Sequence, residues 1–254
     1  MSTDFIVVIP ARYQSARLPG KPLCDIAGKP MLLHVVERAR QSAAREVIVA
    51  TDDARIEALC NTHALRVCMT DPSHNSGTDR ITEVVTKAGY APDTIVVNVQ
   101  GDEPLIPPAV IDQVAANLAA RPEFGICTLY APVKDEAEFQ NPNAVKLVCD
   151  ANGKVLYFSR APIPWPREGI TAATLALAKR HIGLYAYRVR VLQQFVRWPA
   201  AALEECEKLE QLRAMAQGIN IHAEAGSAPI PAGVDTPEDL EQVRALLRQG
   251  ASHD

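Results

Sequence analysis

Four consecutive apolar residues, 6–9 (IVVI), break at Pro10 into a polar loop, and apolar runs alternating with polar turns recur along the first half of the chain. A run without a polar position reads as a strand buried on both faces, as in parallel sheets. From Pro30 the period changes: Met31, Leu32, Val35, Val36 and Ala39 recur at helical spacing and hand over to a second apolar run at 47–50. Thr51 or Asp52 is placed to cap a helix through Ile56 and Leu59, which leads to a strand at 65–69. The polar turn 71–80 (DPSHNSGTDR) opens an amphipathic helix through Ile81, Val84 and Val85, followed by the most strand-like run, 94–99 (TIVVNV). Pro107 and Pro108 start a helix through Val110, Ile111, Val114 and Leu118 that Arg121-Pro122 closes. This order predicts four parallel strands with crossover helices.

Beyond Gly125 the pattern becomes mixed α+β. Strands are expected at 126–133 and 145–148, and the turn at 150–153 leads into 155–158 as a hairpin. The stretch 161–166 (APIPWP) is too rich in proline for regular structure, and 168–179 reads as a weakly patterned linker suited to a mobile loop. A strand at 181–187 continues as a helix at 189–196; a helix at 203–217, stopped by Gly218, precedes a strand at 219–223. In the last helix Thr236 is the expected N-cap, Pro237 the first helical residue and Asp239 stands near the third position. No internal repeat is present. The fold class is therefore α/β with a largely parallel central sheet and a mixed α+β second portion.

The chain has 254 residues, 48% of them apolar, enough for a substantial core. With 26 basic against 30 acidic residues, the net charge of −4 argues against broad nucleic-acid binding, so any basic cluster is local and its anion small. No apolar run approaches the roughly 18 residues of a membrane span. Residues 1–4 carry no signal-peptide pattern, and a cytoplasmic location is expected. The cysteines (Cys24, Cys60, Cys68, Cys127, Cys149, Cys206) are scattered and form no CxxC pair, which predicts reduced packing residues.

The loop leaving the first strand carries Arg12, Arg17, Gly20 and Lys21, at the end of a parallel strand where ligands bind in open sheets. It is not a Walker motif: Ser15 stands in place of the first glycine and Pro22 in place of the magnesium-binding hydroxyl residue. No GxGxxG follows the first strand either. Three cations can spread along a triphosphate, with the Lys21 ammonium nearest the reacting phosphorus. Asp102, ending the 94–99 strand, is a candidate hard ligand for magnesium, or else shapes a turn before Pro104. Asp235 is the natural second ligand, or simply favours its helix N-terminus. Ser76, Gly77 and Thr78 suit a base or ribose, or plain helix capping, and Arg80 suits a base carbonyl or phosphate. Arg160, His181, Tyr185, Glu210 and Gln211 are polar residues in otherwise apolar elements, with Arg160 or His181 suited to a carboxylate and Glu210 and Gln211 to hydroxyls. Each taken alone is also compatible with a structural role. Neither a Ser-His-Asp pattern nor zinc-ligand spacing appears.

The stretches IPARYQSARLPGKPL, SGTDR, VNVQGDEP, NPNAVK, YFSRAPIPW, RHIGLYAYR, KLEQLR and GVDTPEDLE, in this order, resemble the 3-deoxy-manno-octulosonate cytidylyltransferase (CMP-Kdo synthetase) family over nearly the whole chain. The first stretch alone is similar to sugar nucleotidyltransferases generally, CMP-sialic acid synthetases included; the last four narrow the match. The resemblance implies a Rossmann-like nucleotidyltransferase fold that transfers CMP from CTP to Kdo, an acidic eight-carbon sugar, with magnesium. It also implies release of pyrophosphate, a homodimer and a role in lipopolysaccharide biosynthesis. It further implies one domain over 1–254, with 1–124 the CTP-binding half, 125–234 mainly sugar-binding and dimerisation, and 235–254 a C-terminal helix. By the same resemblance Arg12, Ser15, Arg17 and Lys21 contact the triphosphate, and Ser76 to Arg80 lie near cytosine and ribose. Asp102 and Asp235 ligate the metal, and Gln100, Arg160, His181, Tyr185, Glu210 and Gln211 bind Kdo. A cytidylyltransferase for another acidic sugar and a non-catalytic nucleotide-binding protein are the alternatives. The role of 167–179 is open.

Overall fold

The computed structural model describes residues 3–14 and 17–250, with side chains as far as 248. After β1 (Phe5–Pro10) a short ribbon, β2 (Asp25–Ile26) and β3 (Lys29–Pro30), precedes α1 (Met31–Arg40). Then β4 (Glu46–Thr51), α2 (Ala54–Thr62), β5 (Arg66–Met69), α3 (Gly77–Lys87), β6 (Ile95–Asn98) and α4 (Pro108–Ala119) alternate as the hydrophobic pattern predicts. The second portion holds β7 (Ile126–Pro132), α5 (Glu136–Gln140), β8 (Lys146–Cys149), β9 (Val155–Ser159), α6 (Ala172–Leu175) and β10 (Lys179–Arg188). It ends with α7 (Val189–Phe195), α8 (Ala202–Glu207), α9 (Gln211–Ala216), β11 (Ile221–Ala225) and α10 (Pro237–Gly250).

The main sheet has the order β11-β7-β10-β6-β1-β4-β5, with β8 paired to β10 and β9 to β8. Strands β6, β1, β4 and β5 are parallel, so the predicted parallel nucleus is present, with β1 at its centre. Strand β10 runs antiparallel between β6 and β7 and thereby joins the second portion to the first. Residues Ile6, Val7, Val8 and Ile9 are all fully buried. Val7 and Ile9 face the layer of α1 and α4, while Ile6 and Val8 face the layer of α3 and α7. Each such side chain contributes about 1.5–3 kcal/mol of burial, and the alternation fixes the strand's register against both layers.

Several boundaries differ from the sequence reading. Asp53, not Thr51 or Asp52, caps α2 by accepting from the Arg55 N–H at 2.9 Å. Thr51 accepts from the Asp53 N–H instead, and Asp52 is engaged by Arg80. The single helix expected at 203–217 is two helices, because Lys208 adopts a left-handed backbone (φ 51°). The Arg160 guanidinium donates to the carbonyls of Glu207 and Lys208 there, satisfying the end of α8 from a distant part of the chain. The last strand is shifted to Ile221–Ala225. The β2–β3 ribbon and α5 carry too short a pattern to be read, and the linker expected at 168–179 holds α6, opened by a Thr171–Thr174 capping box. Thr236, Pro237 and Asp239 take the predicted capping positions: Thr236 Oγ1 accepts from the Asp239 N–H, and the Asp239 carboxylate accepts from the N–H groups of Asp235 and Thr236. Among the described residues no helix is long and apolar enough to cross a membrane.

Arg188 shows how the sheet is tied to α4: its buried guanidinium donates to the carbonyls of Leu118 at 3.0 Å and Phe124 at 3.2 Å. Replacing Arg188 with Met strands these carbonyls and is expected to cost about 1–3 kcal/mol. The check is a lower urea midpoint at unchanged m-value.

Candidate active site

The loops that leave β1 and β6 meet at their carboxyl ends, where strand burial forces them side by side. A Cβ on Gly101 would lie 2.8 Å from the Pro10 carbonyl oxygen, so only glycine allows this approach. Gly20 (φ 71°) donates its N–H to the Tyr13 carbonyl at 2.9 Å and starts a 3-10 turn, Lys21–Leu23, that carries the lysine. On the other side, the Val234 N–H donates to the Asp102 carbonyl at 2.8 Å. One main-chain hydrogen bond thus sets the segment before α10 against the loop after β6.

These contacts bring four predicted residues to one point. Lys21 Nζ lies 2.7 Å from Asp102 Oδ2 and 3.1 Å from Asp235 Oδ1, and Arg17 reaches the same Asp235 oxygen at 3.2 Å. Burial by itself would lower the Lys21 pKa, but attraction to and hydrogen bonds with Asp102 and Asp235 outweigh it and raise the pKa. Burial, and then the adjacent Asp102 charge, push the Glu103 carboxyl up to about 8. The cleft above is about 400 Å³, lined by Arg12, Arg17, Lys21, Gln100, Asp102 and Asp235, with Gly77 at its rim. Arg12 donates to the His74 carbonyl; burial, and then repulsion from Arg80, lower its pKa. Ser15 lies outside the described residues.

The other predicted residues do not line this cleft. Ser76 caps α3 through a capping box with Asp79, which leaves Gly77 as the first helical residue, 3.4 Å from Pro10 Cγ at its missing Cβ. Arg80 does not line the cleft: it is wholly buried and donates to Asp52 at 2.9 Å. Thr78 Oγ1 donates to Glu210 Oε2 at 2.7 Å, so the expected nucleotide-side and sugar-side residues are directly linked. Burial raises the Glu210 pKa, partly offset by hydrogen bonds from Thr78 and Ser76. Glu210 and Gln211 line a small cavity, about 30 Å³, with Tyr185 and Tyr187. Tyr185 stands opposite Asn98 across the β10–β6 pair, and its buried hydroxyl has no protein partner. The His181, Tyr185 and Tyr187 rings form a column with spacings of 5.2 and 5.6 Å. Arg160 is committed to main-chain carbonyls, those of Pro142, Glu207 and Lys208, and organises the walls rather than facing the first cleft. Gln14 and Asn75 line the cleft and were not singled out from sequence; both sit beside motif residues, in loops whose polar positions carry no periodicity.

Among the described residues no group of three or more His, Cys, Asp or Glu is arranged to hold a metal. Two carboxylates converging on one point do fit magnesium, which binds through one or two carboxylates and completes its shell with phosphate oxygens and water. A larger depression, about 800 Å³, lies between β11 and the β8–β9 turn, far from these groups, and its Arg121 pairs with Glu224 at 3.6 Å.

The chain is similar to known proteins over nearly its whole length. A family model described as Cytidylyltransferase matches residues 6–221. A 3-deoxy-manno-octulosonate cytidylyltransferase of Cellvibrio japonicus (strain Ueda107) is 56% identical over 253 residues, covering 97% of this chain and 99% of that protein. One from Pseudomonas syringae pv. tomato is 57% identical over 253 residues, with the same coverages. Among solved structures, CMP:2-keto-3-deoxy-manno-octonic acid synthetase complexed with CTP superposes with a TM-score of 0.89 at 46% identity, covering 97% of this chain and 99% of that one. A 4-diphosphocytidyl-2C-methyl-D-erythritol synthase superposes at 0.64 with 16% identity over 96% and 99%, a likeness of fold alone.

Burial, and then the Arg180 charge, push the His181 imidazole well below its ordinary 6.5, to about 3. Between these values the unfolded chain binds a proton that the folded chain does not, so stability falls as pH drops from 6.5 toward 3. The expected outcome is a shallower loss of urea stability over this window in His181→Gln than in wild type; equal slopes would remove His181 from the account.

Proposed function

The chain belongs to the 3-deoxy-manno-octulosonate cytidylyltransferase family, and from that premise we propose that it transfers CMP from CTP to Kdo, releasing pyrophosphate. The sugar 2-hydroxyl attacks the α-phosphorus in line, the bond to the β-phosphate oxygen breaks, and the hydroxyl proton passes to water. The observation that carries this reading is the convergence of Lys21, Asp102 and Asp235 beside Arg12 and Arg17 at the carboxyl ends of two adjacent parallel strands. Activated Kdo serves lipopolysaccharide assembly in this proposal.

Each residue has a part in that reaction. Arg12 and Arg17 bind the triphosphate along its length, and the Lys21 ammonium follows charge developing on the α-phosphate. Asp102 and Asp235 hold a magnesium ion. When bound, it supplies Lewis-acid help, lowering the pKa of the attacking hydroxyl and neutralising phosphate charge. Gln100, Tyr185, Glu210 and Gln211 orient the sugar, with Glu210 fixed by Thr78 from the nucleotide side. His181 and Arg160 shape the wall behind them. The cysteines are all free, which fits a reducing, cytoplasmic setting.

We also propose that the enzyme works as a homodimer. Leu156, Trp165 and Leu177 of the second portion are 56, 70 and 64% exposed, an apolar supply that a second copy would cover. Light scattering on the purified protein should give about twice the chain mass of 27.6 kDa; the chain mass itself would refute the dimer.

A pyrophosphate-release assay with CTP and Kdo, run beside CTP and sialic acid, tests the function: release with Kdo alone is expected, and release with neither sugar overturns it. Asp102→Asn should lower turnover more than about tenfold. A loss within about threefold, roughly 0.7 kcal/mol of barrier, would remove Asp102 from metal binding.

A further inference from the structure

The two carboxylates assigned to the metal already hold a cation. Lys21 Nζ sits between Asp102 and Asp235 at 2.7 and 3.1 Å, and Arg17 shares the Asp235 oxygen at 3.2 Å. Two positive charges against two negative ones leave the centre neutral. A divalent ion approaching it meets none of the net attraction that two free carboxylates would offer, and Coulomb repulsion from an ammonium within a few ångströms opposes its entry. We propose that Lys21 is the resident countercharge of this pair and competes with the divalent cation for it, so that metal enters as the nucleotide's phosphates draw Lys21 away.

The relative exposures favour an exchange over a permanent brace. The lysine side chain is 14% exposed and lies on the cleft floor, whereas Asp102 and Asp235 remain 30 and 51% exposed toward the cleft that would receive the triphosphate. Lysine is a compact charge on a flexible four-carbon stem, so it can leave a carboxylate for a phosphate oxygen without moving the backbone. The tight turn begun by Gly20 fixes where that stem starts. In the resting enzyme the ammonium prevents two nearby carboxylates from repelling each other. It also disfavours capture of metal with no nucleotide to use it.

This inference rests on the reading of Asp102 and Asp235 as metal-holding residues, and the test separates the two. Manganese alone, titrated into nucleotide-free protein and followed by electron paramagnetic resonance, should bind Lys21→Met about tenfold or more tighter than wild type, the worth of one partly buried charge contact. In EDTA the variant should melt below wild type, and manganese should restore its Tm while leaving the wild-type Tm unchanged at the same concentration. Equal or weaker manganese binding by Lys21→Met overturns the competition. If Asp102→Asn leaves manganese affinity unaltered both in wild type and in the Lys21→Met background, the metal-site reading itself fails. In case Lys21→Met does not fold, the wild-type protein carries an independent test: CTP added in EDTA should shift the nitrogen resonance of the Lys21 ammonium, and an unshifted signal overturns the proposal.

Discussion

The ammonium of Lys21 gathers carboxylates that stand 81 and 214 residues away along the chain. It can do so only because β1 and β6 are adjacent and parallel, with their exits at the same edge of the sheet. The missing side chain of Gly101 then lets the two loops touch, and the Val234–Asp102 hydrogen bond sets the third segment against them. Remove the buried strand pair and no local rule in any of these loops would place a cation between two aspartates. The site is a property of the sheet before it is a property of its residues.

A second dependence runs through β10. Because this strand lies antiparallel between β6 and β7, Tyr185 comes opposite Asn98 in the sheet. The same insertion lets Thr78 at the start of α3 reach Glu210 at the start of α9, 132 residues apart. The residues expected on the nucleotide side and those expected on the sugar side are therefore joined by a direct hydrogen bond.

The parallel nucleus was legible because residues 6–9 and 94–99 are apolar at nearly every position, a pattern with few other solutions. The loop cations and Asp102 were legible as strand-end residues, and Asp235 as part of a capping sequence. What sequence could not convey is long-range satisfaction of backbone groups. The break at Lys208 follows from Arg160 binding carbonyls of the 207–208 turn, and nothing in the local helical pattern signals it. Arg80 reads from its motif as suited to a base carbonyl or phosphate; in the structure its α3 position faces the core, where it is wholly buried and donates to Asp52. Glu103 carries no signal of its burial in the sequence, since burial of a carboxyl depends on what the fold lays over it.

Asp235 owes its position to α10, which rests on a small apolar cluster of Leu240, Val243 and Val234 against Ile26 and Met31, with Arg244 donating to the Asp25 carbonyl. This cluster is separate from the two that fill the sheet's faces. Elements with few apolar contacts open at lower free energy than the molecule as a whole. Detachment of α10 would withdraw one arm of the carboxylate pair while the sheet stays folded. Heat would then silence the enzyme at a temperature where its circular dichroism still reports a native protein, and cooling would return activity without refolding.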